Sequence, residues 1–186
     1  MKNKFIAFVI SLAFLHMASA QVWFTKTAYI GFFSHTGVED IKADNFEVVS
    51  FLDATKGDLR FQLLIKSFQF PKAAMQQHFN SESYLNSDQF PKSEFKGTLE
   101  NIKAVNFSKD GTYPVTVNGD LTLHGVTKNI KQAGTITIKA GKVSANTVFI
   151  IKLSDFNISI PKFNAAKISN EIEVTVKSEY APYQKS

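Results

Sequence analysis

Between residues 26 and 180 apolar and polar residues alternate with period two, in short runs broken by turn residues, which is how half-buried antiparallel strands are written. Leu59, Phe61, Leu63 and Ile65 share one face, while Asp58, Arg60, Gln62 and Lys66 fall on the other. Tyr113, Val115, Val117, Leu121 and Leu123 alternate in the same way with Thr116, Asn118, Asp120, Thr122 and His124. Near the C-terminus Ile168, Ile172, Val174 and Val176 alternate with Ser169, Glu171, Glu173, Thr175 and Lys177. Segments 27–33, 46–52, 95–102, 134–138 and 143–153 bring the expected strands to eight.

Turn residues mark the boundaries. Lys109-Asp110-Gly111-Thr112 and Lys139-Ala140-Gly141-Lys142 read as short hairpin connections in which glycine takes a positive φ. Asn118-Gly119 has the same chemistry, yet the alternation runs through it in phase, so one long strand with a close backbone approach at Gly119 is the preferred reading. One helical segment is expected between residues 71 and 85, with Pro71 at its first position and Ala74, Met75, His78 and Phe79 on one face. The last residues, from Tyr180 on, are expected to be a frayed tail.

Strands follow one another without intervening helices, which excludes a parallel α/β sheet. Eight strands and one short helical segment favour an all-β, closed antiparallel barrel, because closure leaves no sheet edge. Two segments, Val148-Phe149-Ile150-Ile151 and Ile30-Gly31-Phe32-Phe33, are apolar on both faces and are expected to meet a second apolar surface. A barrel of eight strands is just wide enough to fill itself or to hold one small ligand, and the pattern alone leaves both open.

The first twenty residues stand apart. Lys2 and Lys4 precede an apolar stretch from Phe5 to Met17 that ends in Ala18-Ser19-Ala20, the form of a secretory leader cleaved after Ala20. The stretch is short for a membrane anchor, which needs about 20 apolar residues. The expected mature chain is a single domain over residues 21–186, periplasmic or secreted, without stable membrane insertion. Its formal charge falls from +5 to +3 once the two leader lysines are removed.

Composition narrows the chemistry. The chain has 18 Phe and no Cys, so thiolate metal sites, disulfides and cysteine nucleophiles are excluded. Arg60 is its one arginine, which argues against specific nucleic-acid reading by guanidinium groups. The histidines beyond the leader, His35, His78 and His124, lack metal-ligand spacing, and no nucleophile elbow or phosphate-binding glycine loop occurs. The expectation is therefore no enzyme, no cofactor and no metal. The positive sign is the excess of Phe, of which 15 of the 18 lie beyond the leader.

The stretch VNGDLTLHGVTK at 117–128 resembles the signature of the bacterial YceI-like family of polyisoprenoid-binding, lipocalin-like proteins. HFNSESYLNSDQFPKSEF at 78–95 is similar to a second family segment in His78, Ser81, Tyr84, Leu85, Phe90, Pro91 and Phe95. KLSDFNISIP at 152–161 resembles a third, with Asn157 in place of glycine. Gln76-Gln77 stands where the family usually has Arg-Asp, and the family's arginine before the third motif is missing.

The resemblance implies a lipocalin-like barrel whose interior holds the tail of an isoprenoid quinone or similar amphiphile, as a secreted or periplasmic carrier or scavenger. The alternative is a ligand-free structural or stress-associated envelope protein with a filled barrel. A homodimer is left open. On the first reading the expected ligand contacts are Phe33, Phe61, Leu63, Phe95, Leu121, Leu123, Phe149 and Ile151 from the strands. Phe79 and Tyr84 are expected near the mouth, with His124 as a polar pocket group at a strand end.

Overall fold

A computed structural model describes residues 22–183, so the expected leader lies outside the described residues. The strands are β1 (Val22–His35), β2 (Asp40–Asp53), β3 (Asp58–Leu64), β4 (Lys92–Leu99), β5 (Gly111–Leu123), β6 (Val126–Lys139), β7 (Lys142–Lys152) and β8 (Glu171–Pro182). Each pairs antiparallel with the next, and β1 pairs with β8, which closes an eight-stranded barrel. One helix, α1 (Ala73–Asn80), and the loop after it cross between β3 and β4. Helix α1 starts two residues later than Pro71 suggests, with Lys72 as its N-cap.

Side chains alternate between lumen and exterior along each strand, but β1 and β2 change phase part-way. Between Thr25 and Ala28, β1 advances three residues while β2 advances two, from Ser50 to Val48. Between Ala28 and Ile30 the extra residue lies in β2, from Val48 to Asn45. Each bulge turns the following side chains over. Trp23 and Thr25 therefore point inward from odd positions, and Ala28 and Ser34 from even ones. Within 30–33 the register is regular, so Ile30 and Phe32 face the lumen and Phe33 faces outward.

Gly119 sits in mid-strand opposite Gly97. A Cβ on Gly119 would lie 2.3 Å from Gly97 Cα, and one on Gly97 would lie 2.5 Å from the Phe95 ring. The paired glycines thus make room for an inward aromatic ring, which is the close approach the unbroken alternation implied. The tight turn is instead at His124-Gly125, where both residues have positive φ, 51° and 74°, between β5 and β6. Ala140-Gly141 makes the equivalent turn between β6 and β7. The Lys109-Asp110-Gly111-Thr112 stretch is not a tight hairpin: it ends an irregular connection over residues 100–110.

Two buried clusters occupy the two ends of the barrel. The lower one contains Trp23, Leu52, Leu59, Leu99, Val115, Ile136, Val143 and Tyr180. Tyr180 is 6% exposed, and its hydroxyl pairs with Ser50 Oγ at 2.8 Å, so the chain there is packed strand and not the frayed tail its position suggested. Burial pushes its phenol pKa up to about 12, against a smaller lowering by the Ser50 hydrogen bond. The upper cluster gathers Ala43, Val48, Ile65, Phe68, Leu85, Phe156 and Ile158, contributed largely by strand ends, loops and short 3-10 turns.

Val148 and Ile150 are 58% and 57% exposed. The second apolar surface expected for their segment is the lumen, met by Phe149 and Ile151 alone, and the outward pair faces solvent in the single chain. The ion pairs among the described residues, such as Lys66–Asp88 and Lys131–Glu100, lie on the outside, where screening leaves such pairs little net worth. Among the described residues, no helix is long and apolar enough to cross a membrane.

Candidate functional site

Between the two clusters lies a cavity of about 520 Å³, within the range of sites that hold small organic ligands. Its floor is Leu52, Leu59, Leu99, Val115 and Ile136, which are also members of the lower cluster. Its walls are alternate strand positions: Phe61 and Leu63 on β3, Phe95 on β4, Leu121 and Leu123 on β5, Phe149 and Ile151 on β7, and Ile172, Val174 and Val176 on β8. These come from distant parts of the chain and meet because each strand keeps one parity inside along that stretch, odd positions on β3, β4, β5 and β7 and even ones on β8.

Four phenylalanines make the roof. Phe32 stacks on Phe79 at 5.5 Å, and Phe68 and Phe70 stand 5.6 Å and 5.0 Å from Phe79, within the range of favourable aromatic pairing. Helix α1 has no buried residue, yet Ala74, Met75, His78 and Phe79 all reach the cavity. It therefore sits over the lumen as a cover and not as a core element. Tyr84 follows it and accepts a hydrogen bond from Asn164 Nδ2 at 2.5 Å, which ties the loop after the helix to the 157–170 segment across the mouth.

Charge is confined to the rim. Glu39 and Lys167 line the cavity at its mouth, beside Phe163, which is 81% exposed. Deeper in, the polar lining is neutral. Ser93 Oγ is spent on Thr122 O at 2.9 Å and Thr147 Oγ1 on Ala133 O at 2.7 Å. Gln132 reaches the lumen from β6, and its amide makes no hydrogen bond among the described residues.

The barrel wall is uneven at this point. The ladder between β6 and β7 runs from Lys139 opposite Lys142 up to Thr135 opposite Asn146 and stops. Above it, β6 pairs only with β5 as far as Val126, and β7 pairs only with β8 as far as Lys152. Ile130, Gln132, Gly134, Asn146 and Thr147 around this split all line the cavity.

Of the residues expected to meet a ligand, Phe61, Leu63, Phe79, Tyr84, Phe95, Leu121, Leu123, Phe149 and Ile151 are brought together around the cavity. Phe33 and His124 are not. Phe33 points outward and stacks on His35 at 6.1 Å, because the bulge in β1 gives the lumen to Phe32. His124 occupies the left-handed first position of the β5–β6 turn. Its Nδ1–H donates to Phe156 O at 3.1 Å and its ring meets Phe90 edge-on at 4.5 Å, so it braces the 3-10 turn Leu153–Phe156 and does not face the cavity.

The pattern left the inward face of 30–33 open and so did not assign Phe32 to the lumen, and it gave no sign of Phe68 or Phe70, which lie beyond the strands. Gln132 was hidden because polar residues dominate the first half of β6. Among the described residues, no group of three or more His, Asp or Glu side chains is placed to hold a metal ion.

A polyisoprenoid-binding domain from Saccharophagus degradans has a similar fold, with a TM-score of 0.76 at 12% identity over 88% of this chain and 99% of that one. BcnA from Burkholderia cenocepacia aligns with a TM-score of 0.68 at 14% identity, over 83% of this chain and 96% of its own. The YCEI protein of Campylobacter jejuni aligns over the whole of both chains, with a TM-score of 0.57 and 17% identity. A search of curated proteins gave no match. The sequence matches the YceI-like domain over residues 15–180, and with that span in hand the chain belongs to the YceI-like domain family.

Proposed function

We propose that this protein binds an isoprenoid or other long-chain amphiphile in the barrel lumen, as a secreted or periplasmic carrier or scavenger. The observation that carries the reading is the cavity of about 520 Å³ left between two packed clusters and walled by apolar side chains. A cavity lined in this way gains little from water, and a hydrocarbon gains from entering it. Burial of ten methylenes contributes about 8 kcal/mol gross at about 0.8 kcal/mol each. That exceeds the low end of the association cost, about 4 kcal/mol, and a longer prenyl chain adds to the surplus. The similarity in fold to a polyisoprenoid-binding domain supports the same class of guest, and an isoprenoid quinone is one member of it. The apolar lining, neutral away from the rim, suits binding better than catalysis, since among the described residues no side-chain hydrogen bond joins a nucleophile to a base at the cavity.

Solvent extraction of the purified mature protein, followed by mass spectrometry, is expected to release a prenyl or long-chain lipid. Adding geranylgeraniol to the delipidated protein is expected to raise Tm, because a ligand of the folded state at about 100 times its Kd stabilises by about 2.7 kcal/mol. An extract without lipid, together with an unchanged Tm across prenyl and fatty amphiphiles, would show a structural envelope protein instead.

A further inference from the structure

We propose that the split between β6 and β7 is the subsite for the polar end of the guest, with Gln132 as the residue that recognises it. This rests on the reading of the lumen as a hydrocarbon site and adds to it the chemistry of the head group.

The split is a polar slot in an apolar wall. Thr147 donates to the carbonyl of Ala133 across the point where the two strands part. That bond shows that the peptide groups of Ala133 face β7. Backbone direction alternates along a strand, so the N–H and C=O of Lys131 face the split too, two residues past the end of the ladder. Gln132 lies between them with its side chain inward, opposite Val117 on β5. Its amide offers two donors and an acceptor that no described residue uses. Asn146 is exposed on the outside yet also lines the cavity, so the slot reaches the surface there. Gly134 keeps the base of the slot clear, since a Cβ there would lie 2.9 Å from Asn146 O.

Every group in the slot is neutral. Lys131, the nearest cation along β6, points outward and pairs with Glu100 at 2.8 Å. An ionised carboxylate or phosphate in the slot would give up part of its hydration with no charged side chain in the slot to replace it, whereas a hydroxyl or carbonyl would find both donor and acceptor. The slot therefore selects a neutral, hydrogen-bonding head, an alcohol or a carbonyl-bearing ring, over an acid or phosphate ester.

The test compares three probes of one skeleton on the delipidated mature protein: geranylgeraniol, the hydrocarbon lacking its hydroxyl, and geranylgeranyl phosphate. The alcohol is expected to bind about tenfold tighter than the hydrocarbon, and the phosphate weaker than the alcohol. Gln132→Leu is expected to bring the alcohol to the affinity of the hydrocarbon while hydrocarbon binding is kept. Gln132→Met serves as a second variant, with melting of the lipid-free protein as the check on folding. An unchanged alcohol-to-hydrocarbon ratio in the variants, or tighter binding of the phosphate by the wild type, overturns the subsite and leaves the hydrocarbon lumen standing. Failure of the hydrocarbon itself to bind overturns the lumen reading and this inference with it.

Discussion

The lower and upper halves of this barrel solve the same packing problem in different ways. At the lower end all eight strands are laddered to their neighbours, and inward side chains such as Leu52 and Ile136, 0% and 1% exposed, belong to one buried cluster. At the upper end β6 and β7 have parted, and closure falls to α1, the short turns and an aromatic roof. The hydrogen-bonded wall is a fixed frame. The roof is held by side-chain contacts over a cavity, and Phe79 within it is only partly buried. The difference teaches where adaptability is available: side chains and a two-turn helix in the roof can shift without breaking ladder hydrogen bonds, whereas the frame below cannot.

The largest expected effect belongs to the frame. Gly119→Ala sets a Cβ against backbone, 2.3 Å from Gly97 Cα and 2.5 Å from Lys96 O, which no side-chain rotation relieves. A loss of about 3 kcal/mol is expected in denaturant unfolding, the upper part of the range for overpacking. Gly37→Ala, with nothing within 4 Å of the added atom, is the control and is expected to be close to neutral.

In the roof, Phe79→Ala is expected to lower stability by about 1 kcal/mol, below the usual cost of a fully buried Phe, because α1 buries no residue completely. Its effect on binding is expected to be the larger one, about a tenfold weaker affinity for geranylgeraniol, read by titration. Equal losses of stability in roof and frame would erase the distinction between them.

The smallest effect sharpens the description of the lower end. The neutral phenol of Tyr180 is favoured by folding, since its pKa rises from 10.0 to about 12. Its contribution is fully present below pH 10 and is lost as the pH climbs through 12. Tyr29 shifts the same way, through desolvation first and then its hydrogen bond to Asp44 and that carboxylate's charge. Tyrosinate absorbance is expected to show a late fraction that titrates with unfolding. Tyr180→Phe should diminish that fraction and cost about 1 kcal/mol at neutral pH, by leaving the Ser50 hydroxyl without its partner.

Legibility followed the regularity of the strands. On β3, β5 and β7 strict alternation put Phe61, Leu63, Leu121, Leu123, Phe149 and Ile151 on one face, and that face lines the cavity. On β1 the expected contact was Phe33, in a segment apolar on both faces, and the lumen goes to Phe32 because a bulge adds one residue that has no mark in the hydrophobic pattern. His124 looked like the end of a polar row, but its left-handed backbone turns it toward Phe156. Tyr180 read as tail because nothing nearby in sequence announces Ser50, 130 residues away.

The sequence by itself determined the all-β class, the eight strands, the single helix and the family, because these depend on local periodicity and on short motifs. Only the tertiary structure decided that the interior is hollow and not filled by its phenylalanines. Whether a lumen closes depends on bulges, on the Gly97–Gly119 pair that lets Phe95 lean inward, and on where β6 leaves β7. Each is a relation between strands far apart in the chain, and the pattern along any one strand is the same whether its inward face meets another side chain or open space.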